Sequence, residues 1–298
     1  MEAGFPQGGA LPWRSDGDAP RPTAFPLPGA GEAPWLATAM PLLRGGRPLK
    51  RWRYVGVYSG ELMLCIGDVH VGPAHQTFWG IWDRERGQLH ERTNPLNHAA
   101  VRLKPGRASV HDRRRGVEID LLLDEDEGVT SVCPHGPAGY VWTRKQGGIA
   151  ARGHVTLPGS RRVEIEARAI IDDTAGYHAR ETAWSWSAGV GVAANGALVA
   201  WNLVSGVNDP PSSSERSIWV DGVAREVGPV EFDGLTGVAF TEGGGLRFTA
   251  EATRSRRDRM LLLESDYEQP FGGFAGNLAG EVDLRDGYGV MERHRARW

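Results

Sequence analysis

The chain has 298 residues, with 34 Lys and Arg against 37 Asp and Glu and a formal net charge of -3. It is long enough to bury a substantial core in one large domain or two ordinary ones, and its charge argues against a general nucleic-acid binder. Two cysteines, Cys65 and Cys133, allow at most one bridge and have no metal-binding spacing, so reduced thiols are expected. The first residues lack the basic-then-apolar pattern of a secretory signal, and no apolar run is long enough to span a bilayer. A cytoplasmic protein with no integral membrane segment is the expectation. The 41 glycines and 11 tryptophans, with little sustained helical periodicity, favour short strands and tight turns.

Residues 1–45 read as an extended arm. Pro20, Pro22, Pro26, Pro28 and Pro34 oppose regular structure, while Phe5, Trp13, Phe25 and Trp35 favour wrapping over the body rather than dangling in solvent. From Arg51 the pattern turns strand-like: Trp52–Tyr58, Leu62–Ile66 and Gln76–Asp83 are separated by turns at Ser59-Gly60, Gly72-Pro73 and Arg86-Gly87. Val117–Leu123 and Val163–Ile171 alternate as half-buried antiparallel strands, the second leading into a turn at Asp172-Asp173. An internal echo aligns Gly56-Val57 with Gly189-Val190 and Ile81-Trp82 with Ile218-Trp219, consistent with a duplication. The expected division is therefore an arm at 1–45, a β domain at 46–150 and a second at 151–298, with Lys145-Gln146-Gly147-Gly148 as linker. Further strands are expected at 246–252 and 260–267, a turn at Pro270–Gly273, and a last strand through Trp298.

Four constellations carry possible chemistry. If residues 178–186 form one strand, His178, Arg180, Thr182, Trp184 and Trp186 share a face. That face is either a pocket wall, with His178 handling a proton and Arg180 holding an oxygen, or an Arg–Trp stack with a core histidine. In the last strand Glu292 and His294 point inward about 7 Å apart, as an acid and base or as a structural pair. Asn202, Asp209 and Glu215 either orient a ligand hydroxyl or serve a turn. Glu264, Asp266 and Glu268 share a face read as solvent-side, opposite Tyr267. Phosphate-binding loops, a dinucleotide fingerprint, a nucleophile elbow and HExxH are missing. His70 and His75 read as too isolated for zinc, so no metal and no cofactor are expected.

Gly176-Tyr177-His178, Trp184–Gly189, Trp201–Val204, Trp219–Gly222 and Gly289–His294 with Trp298 resemble the bacterial family known as domain of unknown function 2804, over roughly residues 40 to 298. More distantly, the layout is similar to the lipocalin-like group of carotenoid hydratases, tocopherol cyclases and some Diels-Alder cyclases. The resemblance implies an all-β protein of two lipocalin-like antiparallel β-barrel or half-barrel domains enclosing an apolar site. It also implies chemistry without a redox cofactor. The expected function is a cofactor-independent hydratase, cyclase or isomerase acting on a lipophilic, isoprenoid-like small molecule. His178, Glu292 and His294 would move protons, and Arg180, Trp184, Trp186, Trp201, Asn202, Trp219, Tyr267 and Trp298 would bind. A non-catalytic carrier of an apolar ligand and a carbohydrate-active protein are the alternatives.

Overall fold

Alternating burial marks strand after strand: in Val117–Leu123 the side chains of Val117, Ile119, Leu121 and Leu123 are buried, while Glu118 and Leu122 face solvent. A computed structural model describes residues 11–29, 39–95, 100–136, 139–260 and 263–297. In chain order the strands begin with β1 (Trp13–Arg14), β2 (Leu43–Arg44), β3 (Arg47–Pro48), β4 (Lys50–Tyr58), β5 (Leu62–Val71), β6 (Ala74–Asp83) and β7 (Gln88–Asn94). They continue with β8 (Val101–Lys104), β9 (Arg107–Asp112), β10 (Val117–Leu123), β11 (Val129–His135), β12 (Gly139–Leu157), β13 (Arg161–Gly176), β14 (Glu181–Ala193) and β15 (Leu198–Ser205). The remainder are β16 (Ser217–Val220), β17 (Val223–Glu226), β18 (Val230–Asp233), β19 (Gly237–Phe240), β20 (Gly245–Met260), β21 (Leu263–Leu278) and β22 (Val282–Arg297). Among the described residues no helix is long and apolar enough to cross a membrane.

The strands form two large antiparallel sheets of matching order. The first runs β7-β6-β5-β4-β13-β12-β10-β9-β8, with β11 added beside β12; the second runs β17-β16-β15-β14-β22-β21-β20-β19-β18. Each contains a four-stranded meander, β4 to β7 or β14 to β17, whose first strand pairs with the last strand of its half. The echoed residues lie on matching strands, Gly56 on β4 with Gly189 on β14, and Ile81 on β6 with Ile218 on β16. Each sheet curls until its far edge meets its own meander, β8 against β5 and β6 and β18 against β15.

Among the described residues the two half-barrels give three apolar cores, one inside each and one between them, and the arm covers a fourth cluster. Val55, Ile66, Trp79, Ile119 and Ile171 fill the first, and Trp201, Leu203, Phe248, Phe274 and Met291 the second. Tyr54, Met63, Ile170, Trp186, Trp219, Phe271 and Val290 form the seam, where the convex faces of the sheets pack together. The described part of the arm does wrap the body. Trp13, Phe25, Leu27 and Met40 pack on Val132, Tyr140, Trp142 and Tyr177, and Pro26 and Pro41 carbonyls accept bonds from the hydroxyls of Tyr140 and Tyr177. Phe5 and Trp35 lie outside the described residues.

Three sequence readings differ from this fold. The sheets divide at residues 177–180 rather than near 150, because β12 runs unbroken through the expected linker. Gly147-Gly148 is a bulge in that strand, and Gly147 is a contact point between halves: a Cβ there would lie 2.3 Å from the Trp219 ring. Asp172-Asp173 is strand, not turn, cross-paired with Lys145 and Arg144 on opposite faces of the sheet. Pro270–Gly273 likewise lies within β21, with Pro270 opposite Thr253.

Candidate functional site

The β22 strand alternates as its sequence dictates. Arg293, Arg295 and Arg297 are exposed, Glu292 is buried, and His294 is half-buried on the face turned to the first sheet. Pairing then sets their neighbours. Across β14, Trp186 lies opposite Glu292 and Trp184 opposite His294; across β21, Tyr267 lies opposite His294.

Glu292 is held by two neutral donors. Trp184 Nε1–H donates to Oε1 and Gln269 Nε2–H to Oε2, each at 2.8 Å. Both bonds favour the ionised form, yet burial dominates and lifts the carboxyl to about 7. His294 contacts Ser265 Oγ through Nε2 at 2.8 Å and lies 4.2 Å from the Trp184 ring. Burial takes its imidazole down to about 4, so it is neutral at physiological pH. An acid near half-protonation and a neutral base therefore stand side by side. An open cleft of about 420 Å³ is lined by Ala183, Ser185, Ser205, Asp266, Arg293 and Arg295, mostly from the face of these strands opposite Glu292, together with Trp184 and His294; Glu292 does not line it.

Beneath this pair lies a cluster that sequence periodicity does not reveal. Arg254, fully enclosed, donates from Nε to Glu91 (2.9 Å) and from Nη1 to Cys65 Sγ (3.1 Å) and Tyr267 Oη (3.2 Å). Tyr54 and Tyr58 hydroxyls share a 3.0 Å bond, and burial raises both phenols as well as Tyr267 and Cys65. Arg254 reaches this space through a β-bulge at Ala250–Ala252, which turns the following β20 side chains from the second half-barrel to the seam. Gly80 leaves it room: a Cβ there would come within 2.6 Å of Arg254 Cδ.

A second polar chain crosses the seam. Asp172 Oδ1 meets Lys145 Nζ at 2.5 Å, Lys145 meets Glu215 Oε1 at 3.2 Å, and Asn208 donates to Glu215 Oε2 at 2.9 Å. Asn202 is committed at both ends, accepting from Trp186 Nε1 (2.8 Å) and donating to the Glu215 carbonyl (3.0 Å). Asn202 and Glu215 therefore join one buried network, and Asp209 is bonded to the Gly206 amide in the turn.

The structure thus brings Glu292, His294, Trp184 and Tyr267 together, with Trp186 and Asn202 packed behind them. It separates the others. Strand β14 begins at Glu181, so His178 is not on it: its ring packs 5.2 Å from Trp52 and 5.3 Å from His135. Burial, with His135 and Lys50 nearby, holds His178 well below the usual histidine range. Trp52 is also stacked 6.5 Å from Trp184, so its ring neighbours both His178 and Trp184. Arg180 is exposed, Trp201 faces the core of the second half-barrel, and Trp219 packs on Gly147. Glu264 and Asp266 are exposed, as their alternation implies, and Trp298 lies outside the described residues. His70 and His75 are not isolated. The β5–β6 hairpin sets them directly opposite each other, beside Asp68.

No curated protein matches the chain. Among solved structures, kievitone hydratase from Nectria haematococca is similar at 10% identity and a TM-score of 0.51, covering 82% of this chain and 88% of its own. A protein given the name AttH, from Nitrosomonas europaea, is similar at 11% identity and a TM-score of 0.46, over 84% of this chain and 93% of its own. CghA is similar at 10% identity and a TM-score of 0.36, over 84% and 88%. The first of these likenesses shows a shared lipocalin-like, all-β fold. The family model described as domain of unknown function (DUF2804) matches residues 97–298, and the chain belongs to that family.

Proposed function

We propose that this protein is a cofactor-independent acid–base enzyme, a hydratase, cyclase or isomerase, acting on a lipophilic small molecule at the Glu292–His294 pair. The observation that carries the reading is the carboxyl of Glu292, raised to about 7 by burial while bonded only by neutral donors. Such a group is a proton donor at neutral pH, and His294, lowered to about 4, is an available acceptor. In a hydration, Glu292 gives its proton to one carbon of a double bond while water adds to the other and loses a proton to His294. In an isomerisation or cyclisation the two groups exchange protons with the substrate alone. Trp184 and Trp52 present π faces to positive charge developing on carbon. The partly buried Trp184 indole bonds Glu292 directly. Support from kinship is limited to fold: one protein of this architecture is named a hydratase.

The test incubates the full chain with fractionated lipid extracts and follows products by mass spectrometry. A product heavier by one water supports hydration, and an isomer of altered retention supports cyclisation or isomerisation. An unchanged molecule that co-purifies would replace the enzyme with a carrier. With a substrate in hand, E292Q and H294A are each expected to lose about 100-fold or more in rate. The wild-type rate should be flat between about pH 4 and 7, falling above as Glu292 ionises and below as His294 gains a proton. Full activity in E292Q would sink the assignment.

A further inference from the structure

On the concave face of the first sheet, away from the seam, the β5–β6 hairpin closes at Gly72-Pro73 and brings three ligand-type side chains into register. His70 lies directly opposite His75, and Asp68 is two residues back on the same face as Leu64 and Ile66 of the half-barrel core. Both imidazoles turn Nε2 to one carboxylate oxygen, Asp68 Oδ1, at 3.1 Å from His70 and 2.8 Å from His75. The rings stack at 3.9 Å with 15° between planes. Metal bonds of about 2.0–2.1 Å in a tetrahedron set ligand atoms about 3.3 Å apart, close to the spacing already present.

A second, separate observation points into the same space. The row Arg53–Asp68–Thr77–Asn94 crosses β4 to β7 on this face, each residue opposite the next. Thr77 Oγ1 and Asn94 Nδ2 are buried without a hydrogen-bond partner among the described residues. A buried donor or acceptor left this way costs about 1–3 kcal/mol unless something occupies the space in front of it. Competition from cations is limited, because the buried Arg53 guanidinium is drawn to Glu125 at 2.5 Å and Asp173 at 3.5 Å. Arg51 on β4 is the backbone partner of His70.

We propose that Asp68, His70 and His75 form a three-ligand site for a divalent transition metal, of which zinc is the representative probe. Its open position faces Thr77 and Asn94, which are placed to bond a metal-held water or an anionic ligand oxygen. The side chains are only 18–27% exposed, so the site is reachable from one side and shielded on the other.

Calorimetric titration of the chelator-treated full chain with zinc chloride tests this. One ion per chain with a dissociation constant below about 10 µM is expected, weakened at least about tenfold in H70Q, H75Q and D68N. Weaker wild-type binding, or binding that all three variants leave unchanged, would overturn it. Should the variants not fold, cobalt titration of the wild type decides. Visible d–d bands of nitrogen and oxygen ligation, without a thiolate charge-transfer band, support the site; a spectrum of hexaaqua cobalt alone overturns it.

Discussion

Glu292 and His294 sit two residues apart on one face of β22, and burial favours the neutral form of both, shifting them in opposite directions. The consequences for stability have opposite signs. A carboxyl raised from 4.5 to about 7 contributes stability that is fully present below pH 4.5 and lost as pH rises through 7. An imidazole lowered from 6.5 to about 4 contributes stability that is present above pH 6.5 and lost as pH falls through 4. Each is on the order of 3 kcal/mol, so in the wild type the two largely offset one another. Denaturant titrations from pH 4 to 8 separate them: E292Q should cost less at pH 8 than at pH 4, and H294Q the reverse. Equal costs across that range for either variant would show that its group titrates normally.

At the scale of the strand, what aims side chains at the seam is irregularity as much as alternation. The bulge at Ala250–Ala252 reverses the facing of β20, so Arg254 leaves the side occupied by Phe248 and joins Tyr267 and Cys65. Gly80 on β6 is the matching absence, a missing Cβ where the arginine stem passes. G80A should therefore destabilise by about 1–3 kcal/mol through overpacking. In an R254A background that cost should largely vanish, and a double-mutant cycle by urea denaturation reads the difference; additive costs would show that the collision is elsewhere. Gly147 against Trp219 is the equivalent contact between halves. Such devices escape a reading based on period-two alternation. From Phe248 alone, Arg254 would be assigned to the second half-barrel, and a Gly-Gly pair reads as a linker until its partner ring is seen. The strands themselves were legible: Val117–Leu123, Val163–Glu166 and Glu292–Arg297 alternate in sequence as they do in burial, whereas 169–171 and 289–292 are buried on both faces. The His70–His75 pair was legible in principle, since the two residues are symmetric about the Gly72-Pro73 turn, but only once that turn fixes the register. His178 was misplaced because the chain is irregular at 177–180 and the strand starts after it.

For the whole molecule, the two like halves meet back to back, and the seam holds buried charges paired across it. Lys145 lies between Asp172 and Glu215, and burial raises Glu215 while both carboxylates keep Lys145 charged. K145M leaves two carboxylates facing each other and should cost about 3–5 kcal/mol by chemical denaturation, whereas a cost below about 1 kcal/mol would show the network to be solvated. Duplication was readable from the Gly-Val and Ile-Trp echoes because they fall on corresponding strands. The facing of the halves was not, because nothing in a single strand's pattern says which of its two sides meets another sheet. The reactivity proposed here depends on that facing: without the first sheet behind it, Glu292 would be an ordinary surface carboxyl. Its ionisation is therefore the most direct measurement. Infrared difference spectra of wild type against E292Q, followed with pH, should show a protonated carboxyl band that disappears with a midpoint near 7. A midpoint at the ordinary glutamate value, about 4.3, would contradict a sealed seam and the acid assigned to it.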